Sequence, residues 1–129
     1  MKLNQELLDG LVAQAKESPR LRAHYNLHET LDAKAQRLFI ALEPGTVLPI
    51  HRHRATQETQ IVIKGRIRVF FYHPDKTVKE SFDVACGTDT FGVHIPKGEW
   101  HNLEVLEPDT VILEVKDGPY IPSAPEDLL

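Results

Sequence analysis

Three histidines and one glutamate fall at spacings that could hold a metal ion. Residues 45–65 read Gly-Thr-Val-Leu-Pro-Ile-His51-Arg-His53-Arg-Ala-Thr-Gln-Glu58-Thr-Gln-Ile-Val-Ile-Lys-Gly. His51 and His53 close an apolar run, and on a strand residues two apart point to one face. Glu58 comes five residues after His53 and opens a second β-type run over 59–63. The polar loop 54–57 joins the two runs, and Lys64-Gly65 ends the second with a turn signal. Neighbouring strands would bring these three side chains together. Downstream, Pro96-Lys-Gly98-Glu-Trp-His101 offers a further imidazole beside another tight turn. Imidazole suits Zn, Fe, Ni and Cu, and carboxylate suits harder ions. His51, His53, Glu58 and His101 are therefore the candidate ligands of one divalent transition metal, Zn, Fe, Mn or Ni. The competing reading makes Glu58 an ordinary surface ion pair with Arg52 or Arg54. It is the weaker one, because four ligand-type side chains lie at strand ends next to Gly or Pro turns.

The spacing Gly45-x5-His51-x-His53-x4-Glu58-x6-Gly65 resembles the first signature of the cupin superfamily at every fixed position. Pro96-x-Gly98-x-x-His101 is similar to the middle of the second signature. The leading glycine of that signature is missing, and Val105 stands where it ends in asparagine. Taken whole, the chain resembles the small WbuC-type cupin fold metalloproteins found with bacterial surface-polysaccharide genes. The stretches that carry this are Ser18-Pro-Arg20-Leu-Arg22, Asn26-Leu-His28, Gln36-Arg37, the His51/His53 segment, Ile95-Pro-Lys-Gly-Glu-Trp-His101 and Glu114-Val-Lys-Asp-Gly-Pro-Tyr120. The resemblance implies an all-β double-stranded β-helix, a jelly-roll barrel with an N-terminal α-helix, whose ligands line one mouth. It also implies a small sugar-like or sugar-nucleotide-like molecule as the ligand, and it favours Arg20, Arg22 and His28 as its contacts. It brings no settled reaction.

The elements that must position these side chains fit within one domain. A chain of 129 residues is long enough for a real core. The 19 acidic residues outnumber the 15 basic ones and no basic block occurs, which argues against nucleic acid as a partner. Cys86 is the only cysteine, so an internal disulfide and a Cys-based zinc site are both excluded. No apolar run approaches a membrane span and no signal peptide core is evident, so cytoplasm is the expected compartment.

Residues 1–19 are expected to form a helix packed on the barrel. Asn4 caps it, Leu3 staples it, and Leu7, Leu8, Leu11, Val12 and Ala15 form its stripe. Ser18-Pro19 ends it. Residues 20–118 form the barrel and 119–129 an extended tail. In the polar run 20–28, Arg20, Arg22 and His28 are either a solvated edge strand or a cationic pocket wall. On the strand 35–42, Arg37 shares a face with Phe39 and Ala41, and it contacts an anion only if that face looks inward. On 66–72, Ile67, Val69 and Phe71 should be core, while Phe70 and Tyr72 suggest a face covered by the helix or a second subunit. His94 is a weak further ligand candidate, Trp100 a packing residue and His73 a solvent-exposed loop residue. A homodimer paired through sheet edges is expected.

Two classes of function fit. One is a metal-dependent isomerase, epimerase or lyase, or an Fe(II)-dependent dioxygenase, acting on a small polar, anionic or sugar-like molecule, as in surface polysaccharide biosynthesis. The other is a non-catalytic carbohydrate or small-ligand binding module anchored by the metal. A titratable side chain beside the metal ligands would favour the first.

Overall fold

The computed structural model describes residues 1–129. Helix α1 spans Gln5–Glu17, and eight strands follow: β1 Arg22–Asn26, β2 Ala35–Leu42, β3 Glu58–Lys64, β4 Arg66–Tyr72, β5 Val78–Ala85, β6 Gly92–Ile95, β7 Trp100–Val105 and β8 Thr110–Asp117. They make a five-stranded sheet in the order β1-β2-β8-β3-β6 and a three-stranded sheet in the order β5-β4-β7. All pairings are antiparallel. The two sheets face each other as the expected rolled β-sandwich.

Alternation decides which side chains look inward. Ile67, Val69 and Phe71 of β4, Val105 of β7, Val62 of β3, Ile112 of β8 and Leu42 of β2 meet in one buried cluster between the sheets. The opposite face of the five-stranded sheet presents Phe39, Ala41 and Val111, and α1 covers them with Leu8, Leu11, Val12 and Ala15. The helix begins where expected, with the Asn4 side chain accepting from the Leu7 amide at 3.1 Å. Leu3 makes no staple and stays exposed. The helix lies on β1, β2 and β8, so it does not cover Phe70 and Tyr72, which stack on each other with ring centroids 6.1 Å apart.

Parity also corrects the reading of Arg37. It lies on the helix side of β2 with Phe39 and Ala41, is exposed, and does not line the inner cavity. Gln36, its neighbour, is the inward residue and is 1% exposed. The tight turn between β3 and β4 needs Gly65. Its φ is +82°, and a Cβ there would collide with the backbone of the fully buried Thr110.

The sandwich depends on the second core as well as the first. Leu11 is 3% exposed between α1 and the sheet. Leu11→Ala should cost about 2–4 kcal/mol of unfolding free energy, read from the shift of the chemical denaturation midpoint at unchanged slope.

Candidate metal centre

The structure brings His51, His53, Glu58 and His101 together. One potential ligand atom from each lies within 4.8 Å of every other. Ligand atoms about 2.1 Å from a shared ion lie about 3–4.2 Å from one another, depending on the angle between them, and Glu58 Oε1 is 3.0 Å from His101 Nε2 and 3.9 Å from His53 Nε2. Glu58 and His101 are buried, at 4% and 3% exposed, and His51 and His53 are half-buried. The alternative pairing of Glu58 is absent, because Arg52 and Arg54 both engage Asp127.

Each side chain is placed by a different element. Glu58 is the first residue of β3 and points inward with Gln60 and Val62. His101 is the second residue of β7, just after the turn at Gly98, whose φ is +77°. The segment of His51 and His53 is not the expected strand. It is an irregular connection whose bridge from His51 to His101 has amide-to-carbonyl bonds of 3.1 and 2.9 Å in the two directions. The Gly98 amide donates to the His53 carbonyl at 2.8 Å. The two motif stretches are thus held by their backbones, and their imidazoles are brought close at tilted and edge-on angles. Ring centroids are 4.3 Å apart for His51 and His101, and 5.1 Å for His51 and His53.

The donor chemistry fits a cation. His101 Nδ1 lies 2.8 Å from the Glu99 carbonyl, and His51 Nδ1 lies 2.9 Å from the Pro49 carbonyl. A carbonyl only accepts, so each Nδ1 carries the proton and each Nε2 is left with a bare lone pair. His101 Nε2 then faces Glu58 Oε1 at 3.0 Å, and His53 Nε2 is 3.9 Å from the same oxygen. Lone pairs facing each other in a buried place need a positive species between them, a proton or a metal ion. Burial lowers the pKa of all three imidazoles. His53 also feels His51 and His101 and falls to about 4. Neutral imidazoles are what a metal requires.

Around the cluster lies a cavity of about 510 Å³ between the sheets. Arg20, Arg22 and His28 line it, as do His24 and Asn26, so β1 is both an edge strand and a pocket wall. Neither Arg20 nor Arg22 has a carboxylate partner; the Arg22 Nη1 donates to the Val47 carbonyl at 3.2 Å. His28 is buried, and its Nδ1 accepts from the Arg37 amide at 3.1 Å. His94 is exposed, hydrogen-bonds Thr59, and lies outside the cavity. Trp100 is buried under the Arg52 guanidinium, 4.4 Å from its ring centroid.

Two buried polar residues were not foreseen. Glu114 and Gln60 line the cavity at 8% and 6% exposed, with Gln60 Nε2 donating to Glu114 Oε1 at 3.2 Å. Burial and the adjoining Glu58 push the Glu114 carboxyl up to about 8. The signal was present in the alternation. Glu114 shares parity with Ile112, and Gln60 with Glu58 and Val62, but the apolar run 111–115 hid which face was inward.

This shift has a signed consequence for the metal-free protein. The Glu114 carboxyl is protonated in the fold up to about pH 8 and in the unfolded chain only up to its ordinary value of 4.5. Its contribution is therefore full at low pH and is lost as pH rises through about 8. The lowered histidines act in the opposite sense below their ordinary value of 6.5. With chelator present, stability should fall between pH 6.5 and about 8, Glu114 contributing at most about 1.4 kcal/mol per pH unit. Denaturant titrations of Glu114→Gln should show a smaller fall, the remainder coming from Glu58, which burial also raises.

Residues 3–84 match the family described as a domain of unknown function (DUF6016). No curated protein matches in sequence. Among solved structures, KdgF from Halomonas sp. is 18% identical at a TM-score of 0.61, over 78% of this chain and 82% of that one. The capsular polysaccharide assembling protein CapF from Staphylococcus aureus is 22% identical at 0.64, over 87% of this chain and 30% of that one. An oxalate oxidase in complex with the substrate analogue glycolate is 21% identical at 0.59, over 78% of this chain and 52% of that one. The chain thus spans about half of the oxalate oxidase and under a third of CapF. These likenesses show the shared fold, a cupin barrel, and the chain belongs to the DUF6016 family.

Proposed function

We propose that this chain is a metal-dependent cupin that acts on a small anionic, sugar-like molecule. The observation that carries it is the buried facing of His101 Nε2 and Glu58 Oε1 at 3.0 Å beside His51 and His53. His51, His53, Glu58 and His101 would hold one divalent ion. When bound, such an ion acts as a Lewis acid toward a carbonyl or hydroxyl oxygen.

The remaining roles belong to the cavity wall. Arg20 and Arg22, free of carboxylate partners, would bind the anionic group of the ligand, with His28 offering its Nε2. Arg37 has no part in this, since it points away. Glu114 favours catalysis over simple binding, because it is a titratable carboxyl buried in the cavity beside Glu58. It would take or give a proton at a ligand carbon or oxygen, as an isomerase, epimerase or lyase needs. The likeness to CapF, a capsular polysaccharide assembling protein, supports a place in surface polysaccharide biosynthesis. The open edges at β1 and β5 support pairing of two copies, which sedimentation equilibrium measures. No helix is long and apolar enough to cross a membrane.

Elemental analysis should find about one divalent ion per chain, with His53→Ala and His101→Ala each losing it; no ion after reconstitution with Zn, Fe, Mn and Ni would contradict the reading. In deuterated water, candidate nucleotide sugars should gain deuterium at a carbon, observed by NMR. Glu114→Gln should slow that exchange about 100-fold or more, and Arg37→Ala should leave it unchanged. Tight ligand binding without any exchange would point to a non-catalytic module.

A further inference from the structure

The segment that follows β8 is built into the wall of the histidine cluster. Five backbone hydrogen bonds hold residues 50–53, three to the 98–101 hairpin and two to the closing segment. The latter two run from the Arg52 amide to the Asp127 carbonyl at 3.1 Å and from the Leu129 amide to the Ile50 carbonyl at 2.9 Å. His51 is thus the middle chain of a three-chain rung, bridged to His101 on one side and to Leu128 on the other. A short 3-10 turn at Pro125–Asp127 delivers these residues.

Side chains reinforce the rung. His51 and His53 turn to the cavity, while Arg52 and Arg54 turn outward to Asp127. Both guanidiniums meet the same oxygen: Arg52 Nε is 3.1 Å from Asp127 Oδ1, and Arg54 Nε is 2.5 Å from it. Arg52 also covers Trp100, the neighbour of His101. A single carboxylate therefore grips the back of the histidine segment on both sides of His53. The segment has no strand of its own to fix it, so this grip limits where His51 and His53 can point.

We propose that Asp127 is a positioning residue for the cation site, and that the closing segment sets the affinity and geometry of His51 and His53. The proposal rests on the metal reading above but not on any reaction. It concerns the outer side of the loop, since Arg52, Arg54 and Asp127 do not line the cavity.

The experiment compares wild type with Asp127→Ala, Asp127→Asn and, as a control, Asp83→Ala, which breaks the distant Arg68–Asp83 pair on β4 and β5. Cobalt affinity is measured by competition with a chromophoric chelator, together with the cobalt d–d spectrum and amide exchange at Arg52. Asp127→Ala should weaken cobalt binding about tenfold, shift the spectrum and speed exchange at Arg52. Asp127→Asn keeps an acceptor oxygen without the charge and should restore part of the affinity and the wild-type spectrum. Asp83→Ala should leave affinity and spectrum unchanged whatever it does to stability. Unchanged affinity in Asp127→Ala, equal losses in Asp127→Ala and Asp127→Asn, or an equal loss in Asp83→Ala would each overturn the proposal. Should wild type bind no cobalt, the metal reading fails, and exchange at Arg52 alone decides: faster exchange in Asp127→Ala supports the grip, and equal exchange overturns it.

Discussion

The pairing of His51 with His101 is the constraint on which the rest of this structure turns. Two backbone hydrogen bonds join an irregular connection to the edge of the three-stranded sheet. Without them the connection between β2 and β3 would carry two histidines with no fixed direction. With them, imidazoles separated by fifty residues of chain come to 4.3 Å between ring centroids. The turn at Gly98 serves this rung, since its amide reaches the His53 carbonyl while its positive φ sends the chain back into β7. Glu58 approaches from the other sheet, so the cluster also ties the two sheets together at one mouth of the barrel.

Electrostatics then selects what can occupy the cluster. Backbone carbonyls claim the Nδ1 protons of His51 and His101, and burial keeps the imidazoles neutral. Three imidazoles and one carboxylate oxygen converge there. A nearby second carboxyl, Glu114, stays protonated because two buried negative charges side by side are costly. Two arginines without carboxylate partners, Arg20 and Arg22, also line the cavity, as does Lys116, whose Nζ lies 3.9 Å from Glu114 Oε2. The cavity wall therefore carries both cation-seeking acceptors and cationic side chains.

Much of this was legible in the residues themselves. The spacing of His51, His53, Glu58 and His101 marked the cluster, because ligand types at strand ends beside Gly and Pro turns are uncommon by chance. The helix that follows Asn4 was legible in its apolar stripe and its cap. Other features required the fold. Whether Arg37 faced inward depended on the parity of β2, and alternation alone does not say which parity meets the core. Gln60 and Glu114 were hidden by the same ambiguity in strands with apolar residues on both faces, one covered by the second sheet and one by α1. The role of 126–129 was beyond any local pattern, since its partners Arg52 and Arg54 lie more than seventy residues away.

The account stands on four side chains sharing one ion, and X-ray absorption fine structure of the zinc-reconstituted protein addresses that most directly. The account predicts a shell with three imidazoles and one carboxylate oxygen at about 2.0–2.2 Å, with any further positions filled by water. A shell with fewer than three imidazoles, or one made of oxygen alone, would contradict it.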